Sequence, residues 1–172
     1  MAGAGLLPLG AQAASLGDLF PPKKASCFVA TYDGAHLARN PKQAVVAIRV
    51  VTVPEHASAD GTADMVMLDL DITLRGRKQP FRAVGLNCFR EDGDAWRCQE
   101  RVCNPRNIEV KAESADTLLL DLHQRNGDQL KPGGLMLRSE CGAADVERVT
   151  KLTLGSADQT FKLQRMSAAA CR

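Results

Sequence analysis

The residues with the right types and spacing for chemistry fall into a few short runs. In Tyr32-Asp33-Gly34-Ala35-His36 a carboxylate precedes an imidazole by one helical turn. Such a pair could meet a ligand or a metal. The expected reading is plainer: Asp33 caps a short helix over Gly34–Arg39, and His36 is satisfied by the loop around it. A basic run follows at Arg75, Arg77, Lys78 and Arg82, on and beside a predicted hairpin tip, with Arg97, Arg101 and Arg106 within reach through the next hairpin. It suits an anionic partner such as an acidic protein surface, or it is a solvated turn. Asp69 and Asp71 share one face of a strand. Paired carboxylates can do acid–base work, but opposite a leucine face these read as solvated. Met65 and Met67 carry thioethers of the kind that bind copper. With no further Met or His nearby, they read as packing at the mouth of a barrel or against a neighbouring element. His123 shares a face with Asp121 and reads as surface.

Several functions are disfavoured. The sequence holds no Gly-x-Ser-x-Gly, no phosphate-binding glycine loop and no His-Glu-x-x-His. A Ser/His/Asp triad built from His36, His56 or His123 has no sequence signal behind it. Lys and Arg number 22 against 20 for Asp and Glu, so a net charge of +2 gives no general attraction to nucleic acid. Aromatic residues make up 4% of the chain, too few for a base-stacking platform besides a core. No apolar stretch is long enough for a membrane-spanning helix. Neither a cofactor nor a metal is expected.

These runs must be positioned by strands. Leu68, Leu70, Ile72 and Leu74 alternate with Asp69, Asp71 and Thr73, and the same period recurs through Leu118–Leu122, Leu135–Ser139 and Phe161–Leu163. Turn chemistry at Gly76-Arg77-Lys78, Asp92-Gly93-Asp94, Asn126-Gly127-Asp128 and Pro132-Gly133-Gly134 separates the runs. About nine strands are predicted, near 27–32, 44–53, 64–75, 80–89, 94–101, 107–112, 116–123, 134–141 and 149–165, the last broken at Gly155-Ser156. The expected fold is all-β, an antiparallel meander of 8–9 strands closed as a small barrel, with a two-sheet sandwich as the alternative.

Six cysteines, Cys27, Cys88, Cys98, Cys103, Cys141 and Cys171, read as a disulfide framework of an exported protein. A zinc site is the competing reading, but there is no Cys-x-x-Cys and no neighbouring His. Cys88 and Cys98 flank Gly93 symmetrically, so a hairpin centred there sets them face to face. Cys27 opens the first strand and Cys171 follows the last, where a barrel closes its seam. Cys103 and Cys141 remain as the third pair. Ala11-Gln12-Ala13 fits the small-x-small pattern of signal cleavage, so residues 1–14 are read as a signal-peptide remnant lacking its basic start. Residues 15–26 are read as a disordered lead-in to one domain over 27–172.

Three segments together resemble a known group of proteins: Tyr32 to Gln43, then Cys88 with Trp96-Arg97-Cys98 and Cys103, then Phe161-Lys162-Leu163. They resemble an uncharacterised family of small exported proteins of Gram-negative bacteria, from about residue 27 onward. In that family the cysteine matching Cys103 is followed by Asp-Gly-Gly; here Asn104-Pro105-Arg106 follows, so no role of that turn carries over. The resemblance implies a periplasmic protein and an all-β fold, and no mechanism. The expected barrel in turn resembles the calycins. The leading functional expectation is a non-enzymatic binder of a small ligand. The alternative is a protein–protein module, such as an inhibitor of a host-defence enzyme, and an unrecognised enzyme comes third. Candidate contacts are Tyr32, Asp33, His36, Arg75, Arg77, Lys78 and Arg82.

Overall fold

Alternation of apolar and polar side chains gives each strand one face for a core, and here that face curls inward until the sheet closes. The structure is a computed structural model describing residues 16–21, 24–52, 65–90, 95–100, 104–122, 124–126, 129–131, 134–138, 149–155 and 157–171. Residues 1–14, expected to be a signal-peptide remnant, lie outside the described residues with His56, His123, Arg101, Cys103 and Cys141, as does the side chain of Arg106.

Helix α1 (Leu16–Leu19) precedes β1 (Cys27–Thr31), α2 (Gly34–Arg39) and β2 (Val45–Thr52). Then come β3 (Met65–Leu74), β4 (Phe81–Arg90), β5 (Ala95–Glu100), β6 (Asn104–Ser114) and β7 (Thr117–Asp121). Short strands β8 (Gln124–Asn126) and β9 (Gln129–Lys131) form one two-stranded sheet. Strands β10 (Gly134–Arg138) and β11 (Val149–Thr153) form another, and β12 (Thr160–Met166) follows. Strands β1 to β7 pair in sequence, and β12 fills the last place between β7 and β1, closing an eight-stranded antiparallel barrel.

The expected barrel is therefore present, and the predicted strands up to residue 123 match β1 to β7. The final predicted run, 149–165, divides. Its first part, β11, pairs with β10 outside the barrel, and only β12 joins the wall. The strand predicted near 134–141 is β10, also outside the barrel. Period-2 alternation marks a strand without saying which sheet it joins.

Phe28, Ile48, Val50, Leu68, Leu70, Ile72, Leu86, Trp96, Val110, Leu118, Leu120 and Leu163 fill the interior, each 4% exposed or less. Residues 16–21 depart from the disordered lead-in expected of them. Leu19 is fully buried and Phe20 is 7% exposed. Phe20 meets Phe28 edge-on at 5.6 Å and Trp96 at 6.5 Å, plugging one end of the barrel. The Arg165 guanidinium lies 4.8 Å over the Phe28 ring, and its Nη2 donates to the carbonyls of Asp18, Leu19 and Ala115. Arg165 thus ties the plug to β12 and to the β6–β7 turn, so one side chain satisfies the helix-end carbonyls of α1.

Among the described residues two disulfides hold the barrel. Cys88 and Cys98 sit opposite each other in the β4–β5 register, fully buried on the inner face. Cys27 and Cys171 join β1 to the C-terminal 3-10 turn Ala168–Cys171, with Cα atoms 6.0 Å apart.

A basic rim as the candidate functional site

In an up-and-down barrel every second connection lies at the same end. The β1–β2 connection, which carries α2, and the β3–β4 turn are therefore neighbours at the end opposite the α1 plug. Tyr32, Asp33, His36, Arg75, Arg77 and Lys78 all lie on these two segments.

Asp33 does what its place before the helix predicts. Its Oδ1 accepts from the His36 N–H at 2.7 Å, capping α2. The His36 ring lies 4.7 Å from Tyr32, and its Nε2 meets Gln43 Oε1 at 3.0 Å. Gln43 in turn donates through Nε2 to the Val45 carbonyl. His36 thus sits in a satisfied network, as its structural reading expected. Beneath it, the fully buried Asp158 accepts from the Ala44 N–H at 2.7 Å and the Val45 N–H at 3.1 Å. That carboxylate fastens the lead-in of β12 to the start of β2. Burial first, and the Asp158 charge second, push the Tyr32 phenol above its ordinary value. Next to Asp158, Gln159 is 8% exposed, and its Nε2 has no hydrogen-bond partner among the described residues.

Arg75 is a bracket between the two segments. Its Nε donates to the Gln43 carbonyl at 2.8 Å, and its Nη2 donates to the carbonyls of Leu37 and Asn40 at 2.6 and 2.9 Å. A cation against the last carbonyls of a helix also opposes its dipole. Arg77 stacks its guanidinium 4.5 Å over Phe81. Lys78 is exposed.

Arg82 does not belong to this rim. It lies on the outer wall, where Nε donates to Asp71 Oδ1 at 2.7 Å. Arg49 on β2 donates to the same carboxylate through Nε at 3.0 Å and through Nη2. Asp71 was expected on a solvated face. The face is the outer one, but the two arginines cover the carboxylate, leaving Asp71 8% exposed. Burial alone raises its pKa, yet the hydrogen bonds from Arg82 and Arg49 and their charges prevail and hold it below the ordinary value. Asp69 accepts from the Gly85 N–H at 2.9 Å. Met65 and Met67 pair with Phe89 and Asn87 and, by alternation with Val66 and Leu68, belong to the outer wall beside the neighbouring strand β4 rather than to the barrel mouth.

In exchange for Arg82 the rim gains Arg39 and Lys42, both exposed, on and just after α2. The signal for them was present: in a meander the first and third connections share an end. The result is four exposed cations, Arg39, Lys42, Arg77 and Lys78, on segments that Arg75 clamps together. Among the described residues no cluster of three or more His, Cys, Asp or Glu could hold a metal ion, and no helix is long and apolar enough to cross a membrane. No protein-family model, no curated protein and no solved structure matches the chain.

Proposed function

We propose that this protein is an exported, non-enzymatic binding module that docks an acidic protein surface on the rim formed by Arg39, Lys42, Arg77 and Lys78. The observation carrying this reading is the Arg75 bracket, which gathers these cations at one end of a barrel whose interior is filled with side chains. Filled small barrels leave their outer surface and loops for recognition. Export is supported by the two disulfides and by Ala11-Gln12-Ala13. A second reading, a small polar ligand held beside the rim, draws on the unpartnered buried amide of Gln159.

Native mass spectrometry of protein isolated from its own periplasm tests both. The expected result is a bound acidic protein whose affinity falls at least about tenfold on raising salt from about 0.05 to about 0.5 M, since exposed charges are screened over about 10 Å or less. Reversing Arg39, Lys42, Arg77 and Lys78 to Glu should abolish that complex while the protein remains folded by circular dichroism. A bound small molecule that survives the four reversals would overturn the rim in favour of the ligand reading.

A further inference from the structure

The two disulfides sit in opposite surroundings. Cys88–Cys98 is fully buried in the packed interior. Cys27 belongs to the outer side of β1, because Phe28 and Ala30 take the inner face. The turn Ala168–Cys171 has no buried residue of its own, and Ala168, Ala169 and Ala170 are exposed. Among the described residues it is tied to the wall by the Cys27 bridge and by the Arg49 Nη1 donation to the Cys171 carbonyl at 2.9 Å.

We propose that Cys27–Cys171 is a site of thiol–disulfide exchange, with Cys171 Sγ as the attacked sulfur and a dithiol as co-substrate. Access selects the sulfur: Cys27 is 1% exposed, whereas Cys171 is partly open to solvent. A thiolate of the dithiol attacks Cys171 Sγ. The bond to Cys27 breaks, and its electron pair leaves on Cys27 as a thiolate. The second thiol of the reductant then attacks its own sulfur in the mixed disulfide and releases Cys171. The dithiol has become a disulfide, and its two electrons and two protons now reside on Cys27 and Cys171.

Arg49 is the positioning residue for this step. Its guanidinium holds the Cys171 carbonyl, so it fixes the turn that presents the attacked sulfur and keeps a positive charge at the bridge, whose Cys27 sulfur leaves as the thiolate. Asp71 does not cancel that charge, because it is shared with Arg82. Exchange frees the C-terminal turn from β1. The hydrogen-bond ladders of β1 with β2 and β12 do not run through the bridge, so the wall stays paired.

The test treats the native full-length protein with dithiothreitol, traps thiols by alkylation and maps each cysteine. Cys27 and Cys171 are expected to react at least about tenfold faster than Cys88 and Cys98, with Trp96 fluorescence unchanged while they do so. Arg49→Gln should slow the exchange about threefold, because the thiolate leaving on Cys27 loses a stabilising charge, and Arg49→Lys should restore it. Equal rates for the two pairs, or a Trp96 shift in step with reduction of Cys27, would show reduction through unfolding and overturn the proposal. Faster exchange in Arg49→Gln would make Arg49 a mere clamp and overturn its assigned role.

Discussion

Asp71 stands on the outer wall, yet its carboxylate behaves as a buried group because Arg49 and Arg82 close over it. Its folded pKa lies below its unfolded value, so the stability it adds is present above the ordinary carboxylate range and is lost as pH falls through the folded value. The wild-type melting temperature should therefore drop more steeply below about pH 4 than that of Asp71→Asn. Parallel curves for the two proteins would remove the ion pairs from the stability of the wall. At neutral pH the same substitution should cost about 1–3 kcal/mol, since it leaves two arginines facing a neutral amide; urea unfolding measures it. Arg75→Gln should cost about 1–2 kcal/mol and loosen α2, read as faster amide exchange at Asn40 and Gln43. At this scale the sequence revealed what depends on neighbours in the chain. The Asp33 cap and the symmetry of Cys88 and Cys98 about Gly93 are local arithmetic. The partners of Asp71, Arg75 and Asp158 come from other strands and connections, and no spacing along one strand announces them.

Helix α1 is four residues long, too short to be stable alone, and it exists because Leu19 and Phe20 insert into the open end of the barrel. Its sequence neighbours Pro21, Pro22, Lys23 and Lys24 read as lead-in, which masked two of the better-packed side chains in the molecule. Phe20→Ala should cost about 3 kcal/mol or more. Removing residues 1–21 should also let water reach Trp96, the single tryptophan, and shift its emission to the red. An unshifted spectrum would mean that α1 does not seal the barrel. Strand β4 shows a different local device. Leu68 pairs with Leu86 and Leu70 with Ala83, so Asp69 faces a bulge containing Gly85 at φ +68°. A side chain at Gly85 would be strained by that backbone angle and would meet Met67 Sδ at 3.6 Å, so Gly85→Ala should cost about 1 kcal/mol in urea unfolding. The bulge shows in the alternation only as a change of phase, with Phe81 and Ala83 inward before Val84-Gly85 and Leu86 and Cys88 inward after it.

Closure of the whole sheet was legible because short turns separate alternating strands from β3 to β7, and a meander of that kind has few ways to bury one face. The excursion between β7 and β12 was not legible, since β10 and β11 alternate as the wall strands do. The rim is a property of the molecule rather than of any run: Arg39 and Lys42 meet the β3–β4 turn only because the barrel brings its first and third connections to one end. The position of β12 has a kinetic consequence. β1 forms early in synthesis, but its seam partner is among the last segments of the chain. Until residues 160–166 arrive, the first seven strands can form only an open sheet with two unpaired edges and an uncovered apolar face. Pairing of such distant segments places refolding in the range of milliseconds to seconds rather than microseconds. A chain ending before Thr160 should associate through the bare edges of β1 and β7, visible as high-mass species in size-exclusion chromatography, whereas the full chain elutes without them. During synthesis the protein thus carries bare strand edges and an uncovered apolar face for nearly its whole length, so its exposure to aggregation ends only with its final strand.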